Sequence, residues 1–302
     1  MSEEIVKYDD NYLKVLSDGS REEISDLAGE VNPLDMMPRL ILPRDGTRDL
    51  KCTLGEDTLF TRKRVTALVL WAGARRTLWP PEGQGGEDNL PVCGTGVQSI
   101  STFNRRNDCG IGKWIVSGNE HLPGPYGEVV QELHETSNNG ISEVSCNTCR
   151  FNDFGSTPAW DESKDGDAGK ACNESRVLAL RIVDKVSSFA SGTGDEIGLY
   201  SYNGDGPIVL CNLSATSIKT VRKMAAAAVS RQIALSKLVW SMGAEIKENG
   251  SIQWSVLDIS LVGYPVREIL DNIDRDREVV MSLFEVGGGG VIDVNTDSVT
   301  EF

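Results

Sequence analysis

The stretch C-N-T-C-R-F-N-D-F-G-S-T-P-A-W-D-E-S-K-D-G-D-A-G-K-A-C, from Cys146 to Cys172, decides how the rest of the chain is read. Two close thiols, Cys146 and Cys149, are followed across a polar, glycine-rich excursion by a third, Cys172. Thiolates spaced C-x2-C reach one tetrahedral ion without straining the backbone, the usual half-site of a structural zinc. The spacing predicts a structural Zn2+ held by Cys146, Cys149, Cys172 and one further ligand. Cys93, in L-P-V-C-G-T-G, is assigned that fourth place. Cys109 in N-D-C-G-I-G is its rival, with His121 and His134 behind it.

Other uses of the thiol pair fit less well. A redox pair belongs in a βαβ setting, which the flanking sequence lacks. A zinc deaminase needs P-C-x-x-C and an upstream H-x-E, whereas Ser145 precedes this pair and Glu135 follows His134 directly. Seven cysteines behind an acidic start, with no secretory leader, argue for thiols and not a disulfide framework. The plain alternative is a set of unrelated reduced cysteines. Cys52 and Cys211 lie in apolar β-like runs and are expected to be small buried hydrophobes.

The chain has 302 residues, 39% of them hydrophobic, room for one elaborated domain or two small ones. No apolar run reaches membrane-spanning length, and a cytoplasmic location, a host cytoplasm if phage-encoded, is expected. A net charge of -15 argues against a nucleic-acid partner until its distribution is seen. Residues 1–35 hold ten acids and three bases, and residues 285–302 four acids and no base, so the middle carries only -4. Local potential in a groove, not the total, decides such binding.

Residues 1–31 read as an acidic, partly disordered arm with a short helix near Glu22–Ala28. Residues 32–284 read as the core, interrupted at about 82–173 by the thiol-bearing insertion, and 285–302 as a flexible acidic tail after G-G-G-G. N-P-L-D-M-M-P-R-L-I-L-P (32–43) suits an extended segment at a sheet edge. V-T-A-L-V-L-W-A (65–72), 176–183, 207–213, 235–247 and 251–262 are predicted strands, the last two joined by a tight Asn249-Gly250 turn. A helix after Ser214 or Ser217 should bury Ile218, Val221, Ala225 and Ala228 and expose Lys219, Arg222 and Lys223. In 251–262 the apolar positions switch parity between Val256 and Leu257, implying a bulge or a strand covered on both sides. An amphipathic helix is expected over 265–284. The fold class is mainly β with a few helices (α+β), and more finely an OB-fold-like Greek-key barrel with a long zinc-stabilised insertion.

Unpaired strands are gripped by flat side chains that stack on bases and by cations that track phosphates. Arg62, Lys63, Arg64, Trp71, Arg75, Arg76 and Trp79 form one such cluster; Trp71, ending an apolar strand, suits the core better, and Trp79 beside two prolines is the better stacking residue. Lys113, Trp114, Arg150, Phe151 and Phe154 form a second, with Lys170 beside it, although Phe154 also suits packing within its own loop. At the end of the chain Asp293, Asp297, Glu301 and Phe302 combine spaced acids with a terminal aromatic carboxylate, a two-point ligand for a basic-rimmed pocket on a partner. Motifs for phosphate loops, zinc proteases and serine hydrolases are absent, and two histidines supply little acid–base chemistry. A non-enzymatic role is expected.

P-V-C-G-T-G, C-N-T-C-R-F-N-D-F-G, G-K-A-C-N-E-S-R, the P-I-V-L…S-I-K helix and the acidic tail ending in Phe302 together resemble single-stranded DNA-binding proteins of bacteriophages and mobile elements. The likeness is one of layout and short motifs over roughly residues 32–302. It implies an oligonucleotide-binding fold with a zinc-bearing insertion, and a tail that recruits replication or recombination proteins. The expected partner is single-stranded DNA, bound without sequence preference; self-association into a homo-oligomer is left open. The competing expectation is a zinc-containing protein-binding factor, a phage inhibitor or assembly subunit. A metal-dependent nuclease, which would need clustered carboxylates beside a groove, is third.

Overall fold

Strand-forming sequence dominates because β-branched and aromatic residues recur in short runs divided by glycine and asparagine. The computed structural model describes residues 34, 37–43, 46–79, 93–95, 97–99, 111–114, 143–146, 149–157, 169–190, 196–202, 207–213, 215–250 and 252–287. The acidic arm, most of the insertion, Cys109, His121, His134 and the tail beyond Gly287 lie outside the described residues. What is described is mainly β with two α-helices, in one mixed sheet. The chain divides into two compact units, residues 1–72 with 178–287, and residues 73–177 with 288–302.

In the first unit the strands are β1 (Arg39–Ile41), β2 (Leu50–Leu54), β3 (Asp57–Arg62), the first part of β4 (Arg64–Leu78) and the last part of β9 (Cys172–Ile182). They are joined by β10 (Asp184–Ala190), β11 (Glu196–Ser201), β12 (Ile208–Leu213), β13 (Val239–Asn249) and β14 (Ile252–Pro265). Their order is β10-β11-β14-β13-β4-β9-β12-β1-β2-β3. The 32–43 segment is extended as expected, but not at an edge: β1 runs parallel to β12 and antiparallel to β2. Along β4, Val65 and Ala67 to Trp71 are buried without alternation, as in a strand covered on both faces.

The Asn249-Gly250 hairpin forms, with Gly250 in the left-handed region at φ 61°. The register of β14 against β13 is unbroken from Ile252 to Leu261 and shifts only between Val239 and Trp240. The parity switch at Leu257 therefore marks coverage on two sides and not a bulge. Helix α1 (Ile218–Arg231) supplies part of that cover. Ser217 does not cap the helix: its hydroxyl accepts from the Leu257 amide at 3.2 Å, while the Thr220 hydroxyl donates to the Leu257 carbonyl at 3.1 Å. Two outward-facing groups of a strand edge are thus satisfied by side chains. The buried face of α1 is Ile218, Val221, Met224 and Ala228; Met224 takes the place expected for Ala225, which is exposed.

Helix α2 (Leu270–Gly287) buries Ile273, Val280, Leu283 and Phe284. Phe284 stacks on Trp71 with ring centroids 4.0 Å apart. Asp276 accepts from Arg181 at 2.8 Å and from the Tyr202 hydroxyl at 2.8 Å. Burial and this acid push the Tyr202 phenol well up, with nearby arginines opposing.

Parallel strands β11 and β14 meet at Gly198 opposite Gly263, with the Tyr200 ring folded back over both. A Cβ on Gly263 would lie 1.9 Å from the Gly198 carbonyl oxygen. Gly263→Ala is expected to lower the unfolding free energy by roughly 1–3 kcal/mol or more in urea titrations, through overpacking against backbone. Gly250→Ala, strained but in open space, should cost about 1 kcal/mol.

Cys52 and Cys211 are fully buried, as expected of small hydrophobes. Burial pushes the Cys211 thiol from its ordinary 9.0 to about 12. The folded state therefore favours the neutral thiol: this contribution is complete below the unfolded-state value and is lost as pH rises toward the folded one. Between pH ~8 and ~10.5 the wild type should lose about 2 kcal/mol more unfolding free energy than Cys211→Val.

Candidate functional site

The second unit is built from short strands of little apolar content. The far part of β4 pairs with β5 (Cys93–Thr95) and β6 (Gln98–Ser99); β5 pairs with β7 (Ile111–Trp114), and β7 with β8 (Glu143–Ser145). Cys93 lies opposite Leu78 on one side and Trp114 on the other, and Cys146 directly follows β8. Cys149 precedes a 3-10 turn, Arg150–Asn152, and Cys172 opens β9.

The topology thus gathers the four predicted metal ligands into one unit, and all four are buried. The six described cysteines carry no disulfide. Cys93 is pushed strongly up, first by burial and then by the neighbouring charges of Cys172, Cys146 and Cys149. Cys172, Cys146 and Cys149 thus lie within electrostatic reach of Cys93. Even so, among the described residues no three or more His, Cys, Asp or Glu side chains are gathered into a ready-made ligand set. Electrostatic influence reaches further than a metal–sulfur bond, so the two observations agree on a neighbourhood and not on a closed cage. In kind and number, four thiols with one C-x2-C pair suit a structural zinc ion.

The loop between the second and third sulfurs is stitched by polar contacts. The Asn152 amide donates to the Cys149 carbonyl at 2.9 Å, and its side-chain amide to the Cys146 carbonyl at 2.9 Å. The Ser156 hydroxyl donates to the Asp153 carbonyl at 2.7 Å and accepts from the Ala171 amide at 3.0 Å. The Gly155 amide donates to the Gly169 carbonyl at 3.0 Å, with Gly155 left-handed at φ 85°. Residues 149–157 are thereby laced to the segment that leads into Cys172.

The residues expected to grip nucleic acid divide by exposure. Trp71 is buried in the first unit with Phe284 stacked on its ring, so it is a core residue and not a surface platform. Arg75 is 6% exposed and donates to the Ser175 hydroxyl at 3.3 Å; Arg76 is 2% exposed and pairs with Glu174 at 3.3 Å. Both lie inside a strand covered on each face, so they are corrected from surface cations to interior ones. Phe151, 2% exposed, is likewise core. Trp79 is half-buried. Arg62, Lys63 and Arg64 are exposed as expected, but Arg64 is engaged by Asp258 at 2.6 Å and Ser241 at 2.9 Å, and Arg62 lies over the Phe60 ring.

Phe154 is the exception that faces solvent, at 83% exposure, with the Lys170 ammonium 4.9 Å from its ring centre. Lys113 and Trp114 lie on β7 and Arg150 in the 3-10 turn, with side chains outside what is described; Asp293, Asp297, Glu301 and Phe302 lie outside altogether. Sequence reasoning missed Asn152 and Glu174. The signal for Glu174 was its place two residues from Cys172 and from a buried arginine.

Comparison with protein-family models, with curated proteins and with solved structures finds no match. Among the described residues no helix is long and apolar enough to cross a membrane.

Phe151 and Phe154 are three residues apart and sharply different. Phe151→Ala should cost about 3–5 kcal/mol of stability by opening a cavity. Phe154→Ala should change the urea midpoint within error, since little is packed on its ring.

Proposed function

We propose that the protein binds single-stranded DNA without sequence preference, in phage or mobile-element replication and recombination. In this reading Cys93, Cys146, Cys149 and Cys172 hold a zinc ion that supplies folding energy to a region of little apolar content. The observation that carries the proposal is Phe154: a large ring held almost fully in solvent on a laced loop, with a lysine over it. Such a ring costs little to order on binding and offers a face to any base, while the cation sits near the phosphates. Arg62 and Lys63 with Phe60, and Arg48 and Lys51, add exposed cations in the first unit. The finer architecture, an oligonucleotide-binding barrel, is supported by the helix between β12 and β13 and by the long paired strands β13 and β14. Recruitment of replication or recombination proteins is proposed for the acidic tail.

The second reading, a zinc-bearing protein-binding factor, is favoured by one specific observation. The basic pair Arg75 and Arg76, which would line a nucleic-acid groove, is buried and Arg76 is paired with Glu174.

The two readings separate in a titration of tryptophan fluorescence with homopolymeric oligonucleotide, with zinc content measured on the same sample. Single-strand affinity should exceed duplex affinity and fall with added salt. Phe154→Ala should weaken it by roughly 5- to 150-fold, the worth of one stacked base. Equal affinity for both forms, no affinity for either, or no loss in Phe154→Ala overturns the proposal. Bound zinc without nucleic-acid binding supports the second reading.

A further inference from the structure

Arg76 contacts three segments of the second unit, each two or three residues from a cysteine. Its backbone amide donates to the Thr95 hydroxyl at 2.9 Å, two residues after Cys93. Its guanidinium donates to the Asn152 side-chain oxygen, three residues after Cys149. The same guanidinium pairs at 3.3 Å with Glu174, two residues after Cys172. Thr95 and Arg76 are both buried. Asn152 in turn donates to the carbonyls of Cys146 and Cys149, while its oxygen also accepts from Lys170 at 3.1 Å. Glu174 is shared with Arg176 at 2.5 Å.

We infer that Arg76, acting through Asn152 and Glu174, is the positioning residue that holds the backbone around the four cysteines in place. The inference rests on the zinc reading above. Arg76 and Lys170 meet on the oxygen of Asn152, the residue that donates to the Cys146 and Cys149 carbonyls. Two cations on one amide oxygen also polarise that amide and strengthen its donation to the Cys146 carbonyl. A guanidinium suits this place because its planar fork of donors serves Asn152 and Glu174 together; a lysine has the charge without the fork. Outer contacts of this kind commonly change metal affinity by about 10- to 100-fold.

The test compares full-length wild type, Arg76→Met, Arg76→Lys and Asn152→Ala. Zinc affinity is read by competition with a chromophoric chelator, and the thiolate count by the cobalt(II) absorption spectrum. The inference expects one ion on four thiolates in the wild type, an affinity about 10- to 100-fold lower in Arg76→Met and Asn152→Ala, and incomplete rescue by Arg76→Lys. It also expects Arg76→Met to lower the melting temperature of the loaded protein by more than that of the stripped protein. Should Arg76→Met not fold, Asn152→Ala decides alone. Unchanged affinity in the variants, or an equal loss of stability with and without metal, overturns the inference and leaves the zinc reading standing. A wild type that takes up no metal overturns both.

Discussion

A guanidinium buried among short strands is the constraint from which the second unit follows. β5, the Arg150–Asn152 turn and the start of β9 are far apart in sequence and have few large apolar side chains to hold them. Hydrophobic contact alone does not fix such segments, because little apolar area is removed from water. The Arg76 guanidinium meets two of them, at Asn152 and Glu174, and its backbone amide meets the third at Thr95. A buried ion pair is a poor source of net stability when compared with an apolar replacement, yet removing one partner is costly. That asymmetry makes the arrangement specific: the segments are held in one relation or not held.

The first unit is organised on the opposite principle. There β4 is buried on both faces, α2 lays an apolar stripe with Phe284 against Trp71, and α1 covers part of β14. Polar groups appear where the sheet would otherwise leave backbone unpaired, as at Leu257, or where a helix must be tied down, as at Asp276. Dispersion and burial set the packing, and hydrogen bonds complete it.

Sequence pattern revealed the elements of the first unit because hydrophobic period is written directly into residues. β9, β12, the β13–β14 hairpin and both helices overlap the predicted runs, but Leu235–Lys237 and Arg267–Ile269 are 3-10 turns where strand and helix were expected, and β4 runs on past Ala72 to Leu78. The β2–β3 and β10–β11 hairpins were not visible, since T-L-G-E-D-T and S-S-F-A-S-G carry weak apolar alternation. Cysteine spacing pointed to four thiols that the fold places in one unit and buries, while the surface of the candidate site was illegible. Arg75 and Arg76 look like exposed cations when the strand is ended at Ala72. Continued through A-G-A-R-R-T-L, it is a fifteen-residue strand whose neighbours cover both arginines. Nothing in the local text says that Glu174, a hundred residues away, supplies the counter-charge; that needs the fold.

Phe151 and Phe154 show how one loop separates structure from exposure. Phe151 sits in the 3-10 turn and points into the unit, where it is among the largest fully buried side chains. Four residues after Phe151 the chain passes through Gly155 in the left-handed region, where its amide donates to the Gly169 carbonyl, and Phe154 just before it faces solvent. The contacts that lace the loop to Ala171 are those that bring Cys149 toward Cys172. Any ion shared by those sulfurs would tighten the same lacing, because both ends of the loop would become ligands of one centre. The exposed ring of Phe154 and the thiols Cys149 and Cys172 are therefore carried by one laced loop, so the contacts that order the loop act on both.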